Sequence, residues 1–137
     1  MGDRALIVLK EGKEYSPVVY LHWHAPQVQN YINRLKEVME TRGVDLSYAF
    51  ARLVGIIHND ISGNLSLGSF NLPNDFAETD DYLKKMSHGD GGVYVVNLAD
   101  YSIKTGGGYG LSKQNDKRDG GARDRELNST EKKDTAA

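Results

Sequence analysis

The sequence predicts an α+β fold, an antiparallel or mixed β-sheet of about five strands with two main helices packed on one face, in the order β-β-α-α-β-(α)-β-β. Three observations carry that expectation. Runs rich in β-branched and aromatic residues stand near both ends of the first hundred residues. Two consecutive segments between them repeat apolar residues at helical spacing. Glycine, proline and asparagine clusters punctuate the joins.

Arg4–Lys10 reads as the first strand and Glu11-Gly12-Lys13-Glu14 as a turn, so Pro17–Trp23 completes a hairpin. Pro26 suits the first turn of a helix, where its missing N–H costs nothing. From there Val28, Tyr31, Ile32, Leu35, Val38 and Met39 form one apolar stripe, and Gly43 supplies a left-handed stop. Asp45 is placed to cap a second helix. Its apolar stripe is Leu46, Ala49, Phe50, Leu53, Val54, Ile56 and Ile57, and a narrow polar stripe (Asp45, Tyr48, Arg52, Gly55, Asn59) runs opposite. Ser62-Gly63-Asn64 breaks the chain before a third strand at Leu65–Leu72. Asp75–Met86 is a short acidic helix or loop, Ser87–Gly92 a glycine-rich turn, Val93–Leu98 a buried strand, and Tyr101–Lys104 its partner across Ala99-Asp100.

Composition divides the chain in two. Seven of the seventeen basic and six of the nineteen acidic residues lie in 112–137, where Leu127 is the one sizeable apolar side chain. Such a segment buries too little surface to offset the entropy of ordering it, so it reads as a disordered tail behind a single domain at 1–111. The domain keeps ten basic and thirteen acidic residues, a net charge near −3. That excludes general nucleic-acid binding, which needs a basic surface to displace counterions. With no cysteine there is no disulfide framework, thiolate metal site or cysteine nucleophile. The N-terminus lacks an apolar signal region and no apolar run approaches a membrane span, so a cytoplasmic protein without membrane contact is expected.

The residues that could carry chemistry cluster at Val18–His24, where an apolar strand ends in two histidines around the one tryptophan. Side chains two apart on a strand share a face roughly 7 Å apart, so His22 and His24 could reach one metal together with His58, His88 and Asp90. No helical His-x-x-x-His pair or carboxylate-rich motif supports that centre, and no metal or other cofactor is expected. Trp23 and Tyr20 are either core rings or stacking platforms for a flat ligand. Trp23 follows Val19 and Leu21 on one face, whereas His22 follows Val18 and Tyr20 on the other. Arg52, on an otherwise apolar helix, must reach solvent, a carboxylate or an anion such as phosphate. The turn at His88–Asp90 precedes a strand and so is no P-loop, though its backbone N–H groups can form an anion nest. Ser87, His88 and Asp90 are too close in sequence for ordinary triad geometry, and no nucleophile elbow is present, so no catalytic residue is expected.

At Tyr20-Leu21-His22-Trp23, behind an N-terminal strand and turn, the chain resembles small phage and prophage proteins with a Tyr-x-His-Trp element. Ser87-His88-Gly89-Asp90 ahead of a valine-rich strand adds to the likeness. Within that group it is similar in outline to the Thoeris anti-defence sponge proteins. The resemblance implies a non-enzymatic homo-oligomer in the host cytoplasm that sequesters a small nucleotide immune signal, cyclic ADP-ribose-like or a cyclic oligonucleotide. The arginine-rich element of such binders has only Arg123 and Arg125 to represent it here. The expected ligand set is Tyr20, His22, Trp23, Arg52, Asn64, His88 and Asp90. Two other functions stay open. One is an anti-CRISPR-like inhibitor that contacts a host defence protein, with the acidic stretch Asp75–Asp81 imitating nucleic acid. The other is a small metal-dependent hydrolase.

Overall fold

A computed structural model describes residues 4–22, 25–60, 67–87 and 89–108. They form a mixed sheet with helices, in the chain order β1 (Ala5–Glu11), β2 (Glu14–Tyr15), β3 (Val18–Leu21), a 3-10 turn (Ala25–Gln27), α1 (Val28–Met39), α2 (Leu46–Asp60), β4 (Gly68–Phe70), α3 (Asp80–Met86), β5 (Gly92–Asn97) and β6 (Ile103–Gly106). The strand order across the sheet is β4-β3-β1-β5-β6, and β2 pairs with the end of β1. Among the described residues only the β1–β5 pair is parallel; β1–β3, β3–β4 and β5–β6 are antiparallel. The α+β class and the two main helices on one face are as the sequence predicts. The short β2 makes six strands where about five are expected, because Glu14 and Tyr15 fold back onto Lys10 and Glu11.

The central strand β1 is buried from Ala5 to Leu9 without alternation, and its two faces explain why. Ala5, Ile7 and Leu9 join Val19, Leu21 and Val96 under α1 and α2, which contribute Val28, Ile32, Leu35, Ala49, Leu53 and Ile57. Leu6 and Val8 join Val18, Val93 and Val95 on the opposite face, covered by Leu72, Phe76, Leu83 and Met86 from α3 and the strap before it. A second apolar layer is therefore built from a stretch whose sequence reads as acidic helix or loop.

Local signals govern the element ends. Gly43 lies at φ 82° and its N–H donates to Met39 O at 2.9 Å, closing α1 as expected. Asp45 Oδ1 accepts the Tyr48 N–H at 3.2 Å and Glu11 Oε1 accepts the Leu46 N–H at 2.9 Å, so α2 is capped twice. Thr79 Oγ1 caps α3 through the Tyr82 N–H, which delays that helix to Asp80. β6 starts two residues later than the sequence suggests. Asn97 and Asp100 side chains fill the β5–β6 turn, and Tyr101 sits at φ 58°, which widens the loop. Val38 departs from its expected place in the α1 stripe and is 43% exposed. No described helix is long and apolar enough to cross a membrane. The tail at 112–137 lies outside the described residues.

Candidate binding site at the end of the sheet

Register brings four polar side chains to one end of the sheet. Ala5 pairs with Leu21 on one side and Gly92 on the other. One step further out, Arg4 falls between His22 and the turn that leads into β5, and the Gly91 N–H donates to Arg4 O at 2.7 Å. Tyr20 and His22 share the face of β3 that carries Val18, the face covered by α3.

Asp90 holds Arg4 with one oxygen. Oδ2 accepts Nε at 2.7 Å and the Arg4 backbone N–H at 3.2 Å. The pair is half-buried, with side-chain exposures of 32% for Arg4 and 15% for Asp90. The Asp90 hydrogen bond raises the Arg4 guanidinium above its already high value, against the opposing effect of desolvation, so the cation is permanent. Beside it the Tyr20 hydroxyl and His22 Nδ1 lie 2.7 Å apart, and their rings are tilted with centroids 6.1 Å apart. This places a phenol, an imidazole and a fixed guanidinium at one partly exposed edge.

The two glycine-rich runs fold against each other behind these groups. A Cβ at Gly91 would collide with Ala25 Cβ and stand 2.9 Å from Arg4 O; one at Gly108 would stand 2.6 Å from Gly91 O. Ser87 Oγ lies 3.0 Å from Gly107 O and 3.1 Å from Lys84 O, and it accepts the Gly89 N–H at 3.2 Å. Ser87 and Asp90 thus hold the turn together. Gly106, Gly107 and Gly108 are packed backbone, each with neighbours where a Cβ would stand.

Of the predicted ligand set, the structure brings Tyr20, His22 and Asp90 together. Trp23, Asn64 and His88 lie outside the described residues, as does His24. Arg52 is not with the others. Helix α2 covers the opposite face of the sheet from Tyr20 and His22, and it buries Ala49, Leu53 and Ile57 while Arg52 points to solvent. Its guanidinium carbon is 6.0 Å from the Tyr48 ring centroid, which Arg42 covers more closely at 4.0 Å. The polar stripe is real, but it is a solvated helix face. The residue that sequence reasoning missed is Arg4, whose role depends on the parallel β1–β5 pairing.

His58 is exposed at the end of α2, and among the described residues no group of three or more histidine, aspartate or glutamate side chains is arranged to hold a metal. In the acidic stretch Glu78 is largely covered, whereas Asp75, Asp80 and Asp81 stay exposed with partners on this same chain. Glu78 takes Tyr15 OH and Lys10 Nζ, Asp80 takes Lys104 Nζ, Asp75 takes Tyr82 OH, and Asp81 pairs with Lys85. Comparisons with family models, with curated proteins and with solved structures give no match.

Proposed function

We propose that this chain is a non-enzymatic binder of a small nucleotide-type signal, of the kind by which a phage protein would blunt a host defence, with its ligand at the sheet end formed by Arg4, Tyr20, His22 and Asp90. One observation carries the reading: a guanidinium oriented by a carboxylate stands beside a tyrosine–histidine pair at a partly exposed strand end. A guanidinium grips phosphate oxygens through paired N–H groups, and rings offer a base a stacking surface. Gly89, exposed and free of neighbours around its Cα, adds backbone that a ligand can approach closely. In this reading Asp90 serves by orienting Arg4, and Ser87 by holding the turn in place.

A second reading is contact inhibition of a defence complex by acidic mimicry, for which Asp75, Asp80 and Asp81 stay exposed while Glu78 is covered and paired with Tyr15 and Lys10. The nucleotide reading is tested on the full-length protein by native mass spectrometry, followed by calorimetric titration with cyclic ADP-ribose and with cyclic dinucleotides. Stoichiometric uptake of one of them, recovered intact on heating, supports it. Conversion of the ligand, or no uptake of any of them, counts against it.

A further inference from the structure

At the other end of β1 from Arg4, a groove of about 480 Å³ runs between the β1–β2 turn and the first turn of α2. Its apolar walls are Tyr15, Pro17, Leu46 and Phe50. The ionisable groups on its lining, apart from the Tyr15 phenol, are the carboxylates of Glu11, Glu14 and Asp45. Glu11 ties the hairpin to α2 through the Leu46 N–H, and Ser16, buried below, bonds Leu9 N and Pro17 O. The two walls are thus fixed before any ligand arrives, which lowers the ordering cost of binding.

Charge selects the occupant. The positive end of α2 is already met by Glu11 and Asp45, so an anion gains nothing from it. Asp45 has Arg42 at 3.4 Å, but Glu11 spends its hydrogen bond on a backbone N–H, and among the described residues Glu14 has no cationic partner. This contrasts with Glu78 nearby, which Lys10 neutralises at 2.6 Å. Carboxylates without counter-cations beside aromatic and aliphatic walls complement protonated amines joined by methylenes, because rings attract the cations and cover the methylenes. The volume is in the range of small-molecule sites, roughly 300–1,000 Å³.

We propose that this groove binds a linear alkyl polyamine. It lies roughly 23 Å from Arg4 along β1 and needs nothing from the site at the other end, so it stands or falls separately from the nucleotide reading.

Calorimetric titration of the full-length protein with spermidine at physiological ionic strength tests it. Saturable one-to-one binding is expected, weakened about fivefold by Glu14→Gln, the upper end for a solvent-exposed ion pair. Glu14 is exposed, and the thermal midpoint of that variant should not move. Amide shifts in the unaltered protein should map to Glu14, Leu46 and Phe50. Equal competition by magnesium chloride, or equal affinity of Glu14→Gln, would reduce the effect to diffuse counterion attraction and overturn the proposal. Binding of a lysine-rich peptide with no binding of spermidine would overturn it in favour of a protein partner.

Discussion

The Tyr15 hydroxyl donates to Glu78 Oε2 at 2.6 Å, and Lys10 Nζ reaches the same oxygen at 2.6 Å. This knot pins the strap before α3 to the hairpin, and the Phe76 ring stands edge-on to both Tyr15 and Tyr82. Desolvation pushes the Glu78 carboxyl up, but the hydrogen bonds from Lys10 and Tyr15 outweigh it and leave the group below its ordinary value. A depressed carboxylate stabilises the fold above the unfolded glutamate value of about 4.3, and that contribution fades as pH falls through the lower folded value. Urea midpoints measured from pH 7 down to pH 3 should fall less for Glu78→Gln than for the unaltered chain. Identical slopes would remove Glu78 from the acid response.

The alkaline side has its own signature. Tyr15 is pushed up to about 12 by its bond to Glu78 and by desolvation, and Tyr31 to about 12 by desolvation and its bond to Asp60. Both ionise first in the unfolded chain, near pH 10, so their stabilisation is complete below that and drains away between pH 10 and pH 12. Tyr31→Phe should flatten that decline in a pH series of thermal midpoints. At neutral pH it should cost about 1 kcal/mol for one hydrogen bond.

Arg4 and Asp90 separate binding from folding. Arg4→Lys keeps the charge but loses the Nε bond that aims the side chain, so nucleotide affinity should drop about tenfold or more while the melting point shifts by only a few degrees. Affinity unchanged in titration would exclude Arg4 from the site. Arg52→Ala should leave that affinity unaltered, because Arg52 stands over the other face.

Glycine substitutions distinguish crowding from backbone strain. Gly91→Ala must displace Ala25 or the Arg4 carbonyl and should lose about 1–3 kcal/mol in denaturant unfolding. Gly12→Ala meets no atoms within 4 Å, so only its φ of 61° counts, at about 1 kcal/mol. A larger loss at Gly12 than at Gly91 would contradict the packing of the two glycine runs.

Core depth gives a simpler comparison. Leu53 is fully buried between α2 and the sheet, and Leu53→Ala should destabilise by about 2–5 kcal/mol. Val38→Ala, at a position 43% exposed, should stay within about 0.5 kcal/mol.

What could be read in advance follows from the range of the interactions. Gly43, Asp45 and the stripes around Leu35 and Leu53 act within one or two helical turns, so both main helices are legible in the sequence. Val93–Val96 is equally plain, because a run of valines serves a strand buried on both faces. By contrast, pairing between Ala5 and Gly92 leaves no local trace, and Arg4 meets Asp90 only through it. Tyr20, His22 and Asp90 are noticeable in the sequence as rings closing a strand and an acid in a glycine-rich turn, and the sheet end is where the structure puts all three. Arg52 misleads for the same reason: a cation on an apolar helix attracts attention, yet its stripe simply faces water. Phe76 and Leu83 are hidden by acidic neighbours, most of which face water while the two apolar side chains pack under the sheet.

The single parallel ladder sets the order in which the molecule can be assembled. Residues 5–10 are matched one for one with residues 92–97. The hairpin and the helix pair can form early from nearby partners, but one flank of β1 waits until Gly92–Asn97 has left the ribosome. Long-range closure of this kind is slow compared with hairpin or helix formation. Until then the nascent chain shows the bare backbone of a hydrophobic strand, and in that interval it is most exposed to mispairing with a neighbour or capture by a chaperone.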